Sequence, residues 1–315
     1  MENIHDVAQR IKTLQVKGAR RVAIAALEAL QVLAKETKAE SSQEFVQELL
    51  EAKTIFFTSR PTEPLMRNAI TFVVDKVLST DKKEINDLSQ IVLSSSQEFL
   101  SSLEASREKI AEIGSKRILN DMTVFTHCHS STVTNILRKA KQEGKNFKVI
   151  CTETRPVLQG RITAQEMLNL GVKTTMIVDS AARSFIKQAD TVLVGADAIT
   201  SEGGIVNKIG TSMIALLANE ARVPFYVASE LLKFDASTLW GEYEAIEERS
   251  SNEVWKEAPK RLIVRNPAFE ATRAKFIHGL ICEEGVISSQ SVNEVVRRRY
   301  PWIFQRKEIR ENVLR

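Results

Sequence analysis

The amino-acid sequence predicts an α/β protein: a helical N-terminal domain, then a Rossmann-like domain with a mainly parallel, doubly wound sheet. Two observations carry this. Through the first 113 residues apolar side chains recur every three or four positions, the period of one helix face. From Met122 onward, short β-rich runs alternate with helical runs, the pattern of right-handed βαβ units. The change falls at Gly114, so domains of residues 1–114 and 115–315 are expected.

The helical half divides at its breakers. Ile4, Val7, Ile11 and Leu14 form a first stripe, which Gly18 interrupts. Ala25, Leu27, Leu30 and Leu33 begin a second. Ser41-Ser42-Gln43-Glu44 has the form of a capping box ahead of Phe45, Leu49 and Leu50. The stretch TSRPTEP, Thr58 to Pro64, reads as a loop because its two prolines break helix geometry. A helix from about Leu65 to Leu78 follows. A longer one runs from about Asp81 to Ile113, with Ser94 to Ser96, Ser101 and Ser102 on its solvated face.

In the second half, strands are expected at Met122–Thr126, Phe147–Cys151, Thr174–Val178, Thr191–Gly195, Pro224–Ala228 and Arg261–Val264. Helices are expected to begin near Ser131, Thr163, Ala181, Ile209 and Leu239. No GxGxxG follows the first strand, so a dinucleotide cofactor has no support.

Composition narrows the class. The chain has 315 residues, 43% hydrophobic and 27% charged, which is globular rather than disordered. No apolar run approaches the roughly 18 residues that span a bilayer. The opening MENIHDVAQRIK is charged and lacks a signal-peptide core, so the cytoplasm is expected. The net charge of +4 resides in the tail, where Arg297 to Arg315 hold seven Lys/Arg against two Glu. A basic tail is weak support for nucleic-acid binding, which needs a basic stripe on a folded face. Three scattered cysteines, Cys128, Cys151 and Cys282, have neither disulfide nor zinc spacing.

In a parallel doubly wound sheet, ligands bind beyond the carboxyl ends of the strands. After the first strand comes Thr126-His127-Cys128-His129-Ser130-Ser131-Thr132 and then a helix. Helix N–H groups and the helix dipole there favour an anion and would lower the pKa of the Cys128 thiol. Ser130, Ser131 and Thr132 can cap the helix or bind phosphate; the bland alternative is a buried cysteine and a capping serine. His127 and His129 alternate along a strand and point to opposite sides, which argues against a metal. After a later strand, Asp197 lies at a carboxyl end within GADAI. Asn207 and Lys208, within GGIVNKIGT, precede a helix and suit a phosphate or hydroxyl ligand. Three cationic spots remain: the glycine-centred turn Lys17-Gly18-Ala19-Arg20-Arg21, Arg60 in the TSRP loop, and Lys233. Taken singly, each of these reads as a surface charge.

FTHCHSST, CTETRP (Cys151 to Pro156), GADAI with GGIVNKIGT, PFYVASELLKFD and RNPAFE resemble one superfamily over nearly the whole chain. It contains the alpha, beta and delta regulatory subunits of translation initiation factor 2B. It also contains methylthioribose-1-phosphate isomerase and archaeal ribose-1,5-bisphosphate isomerase. Cys128 and Asp197 match the catalytic pair of the isomerases. The turn KGARR lacks the proline of the methylthioribose-phosphate branch, and the chain lacks the long extensions of the beta and delta subunits. These features favour the ribose-1,5-bisphosphate branch. The alternatives are a regulatory subunit holding initiation factor 2 and a methylthioribose-1-phosphate isomerase.

The resemblance implies conversion of α-ribose 1,5-bisphosphate to ribulose 1,5-bisphosphate in AMP breakdown, without metal or redox cofactor. It implies Cys128 as base, held as thiolate, and Asp197 as acid, held protonated by desolvation. It places Lys17, Gly18, Ala19, Arg20, Arg60, Ser130, Ser131, Thr132, Asn207, Lys208 and Lys233 on the substrate. Lys17 stands where the family often has Arg, and Lys cannot make a bidentate phosphate fork. The resemblance further implies a homo-oligomer, dimer or hexamer, and an AMP effector for which no residue is assigned. The apolar residues Trp302, Ile303 and Phe304 suit an interface or the core.

Overall fold

The computed structural model describes residues 2–16, 18–241 and 246–305. Lys17 and the last ten residues of the basic tail therefore lie outside the described residues. The chain forms two compact units. One comprises residues up to Ala105 with Leu232–Phe234 and the segment from Tyr300; the other comprises Ser106–Leu231 and Asp235–Arg299.

The first unit is helical. Its elements are α1 (Glu2–Lys12), α2 (Ala19–Glu36), α3 (Ser42–Ser59), α4 (Pro64–Leu78) and the greater part of α5 (Ile85–Ser115). Ile4, Ile11, Leu27, Leu30, Phe45, Leu49 and Phe56 are buried, as their spacing predicts. Gly18 breaks α1 from α2 with a φ of 87°. Ser41 caps α3 by accepting from the Glu44 N–H, while the Glu44 carboxylate reaches the N–H of Glu40, one residue short of a reciprocal box. The expected TSRPTEP loop shrinks to residues 60–63, because α3 continues through Ser59 and Pro64 opens α4 at a position where its missing N–H costs nothing.

The solvated serine face of α5 needs correction. Ser95 and Ser96 are buried, and the Ser95 hydroxyl donates to the carbonyl of Ile91 within its own helix. The tail residues of this unit belong to its core. Ile303 is buried, Trp302 lies 5.2 Å from the Phe72 ring and Phe304 lies 5.5 Å from the Phe234 ring.

The second unit holds the sheet. Its strands and helices follow as β1 (Thr123–Thr126), α6 (Ser131–Gln142), β2 (Lys148–Thr152), α7 (Gly160–Asn169), β3 (Lys173–Ile177) and the short α8 (Ala182–Phe185). Then come β4 (Thr191–Val194), β5 (Ala198–Ile199), β6 (Ile205–Lys208), α9 (Thr211–Ala221) and β7 (Phe225–Ala228). The chain closes with β8 (Phe269–Thr272), β9 (Gly279–Cys282), β10 (Gly285–Ile287) and α10 (Val292–Arg299).

Seven strands form one sheet in the order β10-β9-β7-β4-β1-β2-β3, parallel except for the edge strand β10. Val124, Val149, Leu193, Tyr226 and Ile281 from the strands pack with Val133, Ile136 and Leu137 of α6 and Met167 of α7. That apolar layer holds α6 and α7 against one face. β1, β2 and β3 step outward in one direction, and β4 returns to the other side of β1. The strand order therefore reverses between β1 and β4, which makes their carboxyl ends the topological switch point, the place where sheets of this kind bind ligands.

A second, antiparallel sheet, β5-β6-β8, was not expected from the sequence. Conversely, Arg261–Val264 is not a strand: Leu262 and Ile263 are exposed. β-Propensity alone does not make a strand, and β7 is already paired on both sides by β4 and β9. The helix expected near Leu239 is a short 3-10 turn, Ala236–Trp240, among the described residues. No helix among them is long and apolar enough to cross a membrane.

Candidate active site

The switch point gathers the polar side chains. β1 ends at Thr126 and delivers His127 and Cys128; β4, its direct neighbour, ends at Val194 and delivers Asp197. The two loops touch: a Cβ on Gly195 would lie 2.5 Å from the Ser130 hydroxyl oxygen, so only glycine fits there. Asp197 is half-buried, its N–H donating to the Val206 carbonyl at 2.9 Å, which ties it to the β5–β6 hairpin.

Cys128 adopts a φ of 67°, the left-handed region that residues with a Cβ rarely occupy. The β2–α7 connection holds it there. Its N–H donates to the Thr154 hydroxyl at 2.9 Å, and its carbonyl accepts from the Thr163 hydroxyl at 3.0 Å. Its thiol donates to the Gln159 side-chain oxygen at 3.6 Å. Thr154 is fixed in turn, its N–H donating to Asp179 at 2.8 Å.

Burial pushes the Cys128 thiol up to about 12, from an ordinary value of 9.0. The Lys208 ammonium and the His129 N–H pull it down, whereas Asp197 and Asp179 push it further up. The thiolate expected from a helix N-terminus is thus corrected. Desolvation outweighs the nearby N–H groups, and the sulfur holds its proton at neutral pH.

Ser130 caps α6, its hydroxyl accepting from the Val133 N–H at 3.4 Å. Ser131 is exposed, and Thr132 is buried with its hydroxyl 3.5 Å from the Glu230 carboxylate. Asn207 and Lys208 do not precede a helix directly; they are strand residues of β6, and their side chains leave on opposite faces. Lys208 is buried, its ammonium 4.7 Å above the Phe269 ring, and its charge reaches Cys128. The Asn207 amide instead donates to Thr211 at 3.1 Å. The N-terminus of α9, expected to suit phosphate, is filled from within. Glu270 accepts from the N–H groups of Gly210 and Ser212 at 2.7 and 2.8 Å. No sequence signal announced Glu270, because it arrives from β8, roughly 60 residues downstream.

The remaining cations lie in the helical unit. Gly18 and Ala19 stand at the start of α2. Arg20 forms an ion pair with Glu104 and donates to the Leu103 carbonyl. Arg60 is not a surface charge: it is buried and paired with buried Glu63 at 3.0 Å. Lys233 is also buried, in a turn whose flanking carbonyls, Leu232 and Phe234, accept from Asn68. Sequence spacing gave no sign of Glu104 as a partner, whereas Glu63 lies three residues from Arg60 and only its burial is a tertiary fact. Among the described residues, no cluster of His, Cys, Asp or Glu is arranged to hold a metal ion.

A Rossmann-like sheet with a thiol, a carboxylate and a buried ammonium at its switch point defines an α/β protein built to act on a small polar ligand. The chain belongs to the Initiation factor 2 subunit family, which residues 15–289 match. It is 40% identical to a ribose 1,5-bisphosphate isomerase of Methanocaldococcus jannaschii, over 96% of this chain and 97% of that protein. It is 37% identical to a ribose 1,5-bisphosphate isomerase of Pyrococcus furiosus, over 98% and 97% respectively. Among solved structures, the translation initiation factor eIF-2B of Pyrococcus horikoshii superposes with a TM-score of 0.78 at 29% identity, covering 91% of this chain and 98% of that one. With such similarity over nearly its full length, the chain stands among the isomerases of the family.

Proposed function

We propose that the protein converts α-ribose 1,5-bisphosphate to ribulose 1,5-bisphosphate, in the cytoplasm and in the course of AMP breakdown. The observation that carries this is the placement of Cys128 and Asp197 at the carboxyl ends of two adjacent parallel strands, with the buried Lys208 charge acting on Cys128. The name borne by the similar proteins supplies the substrate.

The residue types follow from the chemistry. A phosphate on C1 locks the sugar as a closed ring. An acid must protonate the ring oxygen, and a base must take the proton on C2. Asp197 is the acid and Cys128 the base; the enediol that forms then gives its C2 hydroxyl proton back to Asp197 while Cys128 hands its proton to C1, which completes the ketose. The charge that then develops on the enediolate oxygens needs a fixed cation, which Lys208 provides. Ser130, Ser131 and Thr132 offer hydroxyls and helix N–H groups to one phosphate. With a proton on sulfur the base is idle, so productive binding has to draw it off, and Lys208 is the group that favours the resulting thiolate.

The test is direct. The purified protein, incubated with ribose 1,5-bisphosphate and followed by 31P NMR, should form ribulose 1,5-bisphosphate. Cys128→Ser and Asp197→Asn should each lower turnover by orders of magnitude while keeping the native circular dichroism. No conversion by the wild type, or near-normal turnover by Cys128→Ser, overturns the assignment. The structural neighbour's name favours a second reading, a subunit that binds initiation factor 2; pull-down with that factor's subunits tests it.

A further inference from the structure

We propose that His127 is a positioning residue for Cys128: as the neutral Nε2–H tautomer, it sets the direction of a buried hydroxyl chain that ends on the Cys128 N–H. The proposal rests on the reading of Cys128 as the acid–base group. His127 Nε2 lies 2.8 Å from the carbonyl oxygen of Ile209. A carbonyl only accepts, so Nε2 carries a proton. On the other side, Nδ1 lies 2.6 Å from the Thr152 hydroxyl. In the neutral ring Nδ1 is an acceptor, so Thr152 donates to it. Thr152, its proton committed, can only accept from the Thr154 hydroxyl 3.2 Å away. Thr154, its proton committed in turn, accepts from the Cys128 N–H at 2.9 Å. Every donor and acceptor in the chain is then used once.

A second proton on His127 reverses this order. Nδ1 would donate to Thr152, Thr152 to Thr154, and Thr154 would accept from both Thr152 and the Cys128 N–H, one on each lone pair, with its own proton turned out of the chain. The Cys128 N–H bond would then lose the head-to-tail polarisation that the neutral chain gives it, at a residue held in the left-handed region. The surroundings favour the neutral ring. His127, Thr152 and Thr154 are all buried, and Gly210 lies so close that a Cβ there would touch the imidazole at 2.8 Å. Burial lowers the His127 pKa most, and Lys208 adds to that. The Ile209 carbonyl and Asp179, 4.0 Å from Nδ1, act in the opposite direction without prevailing. Asp179 is itself engaged by the N–H groups of Thr154 and Arg155 at 2.8 and 2.7 Å.

Two measurements on the full chain test this. The first is 15N NMR of the wild type labelled at histidine, with His127 assigned by its absence from His127→Asn. The expected state at pH 7 is the neutral Nε2–H tautomer; a neutral Nδ1–H ring or an imidazolium overturns the proposal. The second compares Thr154→Val, which keeps shape but removes the acceptor, with Thr154→Ser, which keeps it. Thr154→Val should lower kcat about tenfold with little change in KM, and Thr154→Ser should restore it. Equal kcat for the two variants, or a loss confined to KM, overturns it. Alkylation of Cys128 by iodoacetamide, read on its peptide by mass spectrometry, should be roughly tenfold faster in Thr154→Val than in Thr154→Ser; equal rates overturn it. The NMR and alkylation readouts need no turnover. If the wild type fails to convert the sugar bisphosphate, the function falls while these two still decide whether His127 positions Cys128.

Discussion

Replacing Gly160 by alanine tests how rigidly the β2–α7 connection holds the site. A Cβ there would lie 1.8 Å from the Thr152 carbonyl oxygen and 2.9 Å from its carbon. Real Cβ atoms stay beyond 3.0 Å, so the two backbone segments must part by about 1.2 Å, the difference between 1.8 and 3.0 Å. Thr152 cannot retreat, because β2 is hydrogen-bonded to β1 on one side and to β3 on the other. The start of α7 must move instead, carrying Gln159 and Thr163 away from the Cys128 thiol and carbonyl. Overpacking of this kind costs about 1–3 kcal/mol, a fall of several degrees in melting temperature for a unit of this size. A displacement near 1 Å at a reacting group costs about a hundredfold in rate. Thermal unfolding followed by circular dichroism reads the first effect, and kcat with ribose 1,5-bisphosphate reads the second. If Gly160→Ala melts and turns over like the wild type, the connection is soft and does not set the position of Cys128.

Other expectations follow from the same contacts. Cys128 should alkylate slowly at neutral pH and accelerate only at alkaline pH, because its thiol is pushed up to about 12; its contribution to stability is present below its ordinary value of 9.0 and is lost as pH rises from there towards 12. His127 has the opposite sense: its pKa is lowered from 6.5, so the folded state binds fewer protons than the unfolded one and stability falls as pH drops below 6.5. Denaturant midpoints measured from pH 7 down to 5 should show that decline in the wild type, and a smaller one in His127→Asn. Glu63→Leu, which removes one side of a buried ion pair at 3.0 Å, should destabilise the helical unit by about 3–5 kcal/mol in urea unfolding. Gly210→Ala should lower the melting temperature more than Gly18→Ala. Both positions have positive φ, but only at Gly210 would the new Cβ strike a ring, that of His127 at 2.8 Å.

The legible part of the site was its chain-local part. Cys128 and Asp197 could be placed at strand ends because β1 and β4 are apolar, β-rich runs bounded by turn residues. The helix after Ser130 begins at Ser131, as expected from its capping hydroxyls. What stayed hidden came from partners distant in the chain and from burial. Glu270 reaches the α9 N-terminus from β8, and burial together with Glu63, only three residues away, turns Arg60 from a surface charge into half of a buried pair. β9 has no counterpart among the expected strands; within it, a Cβ on Gly279 would come within 3.1 Å of the Tyr226 ring, a tight approach that glycine avoids. Arg261–Val264 has the opposite outcome: a run of Leu, Ile and Val has β-propensity whether or not a neighbouring strand is available to pair with it.

By itself, the sequence determined the two kinds of architecture, the order of most helices and strands, and which residues terminate the strands of the sheet. Periodicity and turn chemistry are properties of neighbours in the chain, so they survive without coordinates. The tertiary structure decided that β4 pairs with β1, and so that Asp197 and Cys128 follow the carboxyl ends of neighbouring parallel strands. It also decided that the thiol keeps its proton, since that depends on how deeply the sulfur is buried and on charges from Lys208, Asp179 and Asp197, brought together only by folding. Burial and Coulomb interactions act through space, and the distances they depend on are set by folding rather than by position along the chain.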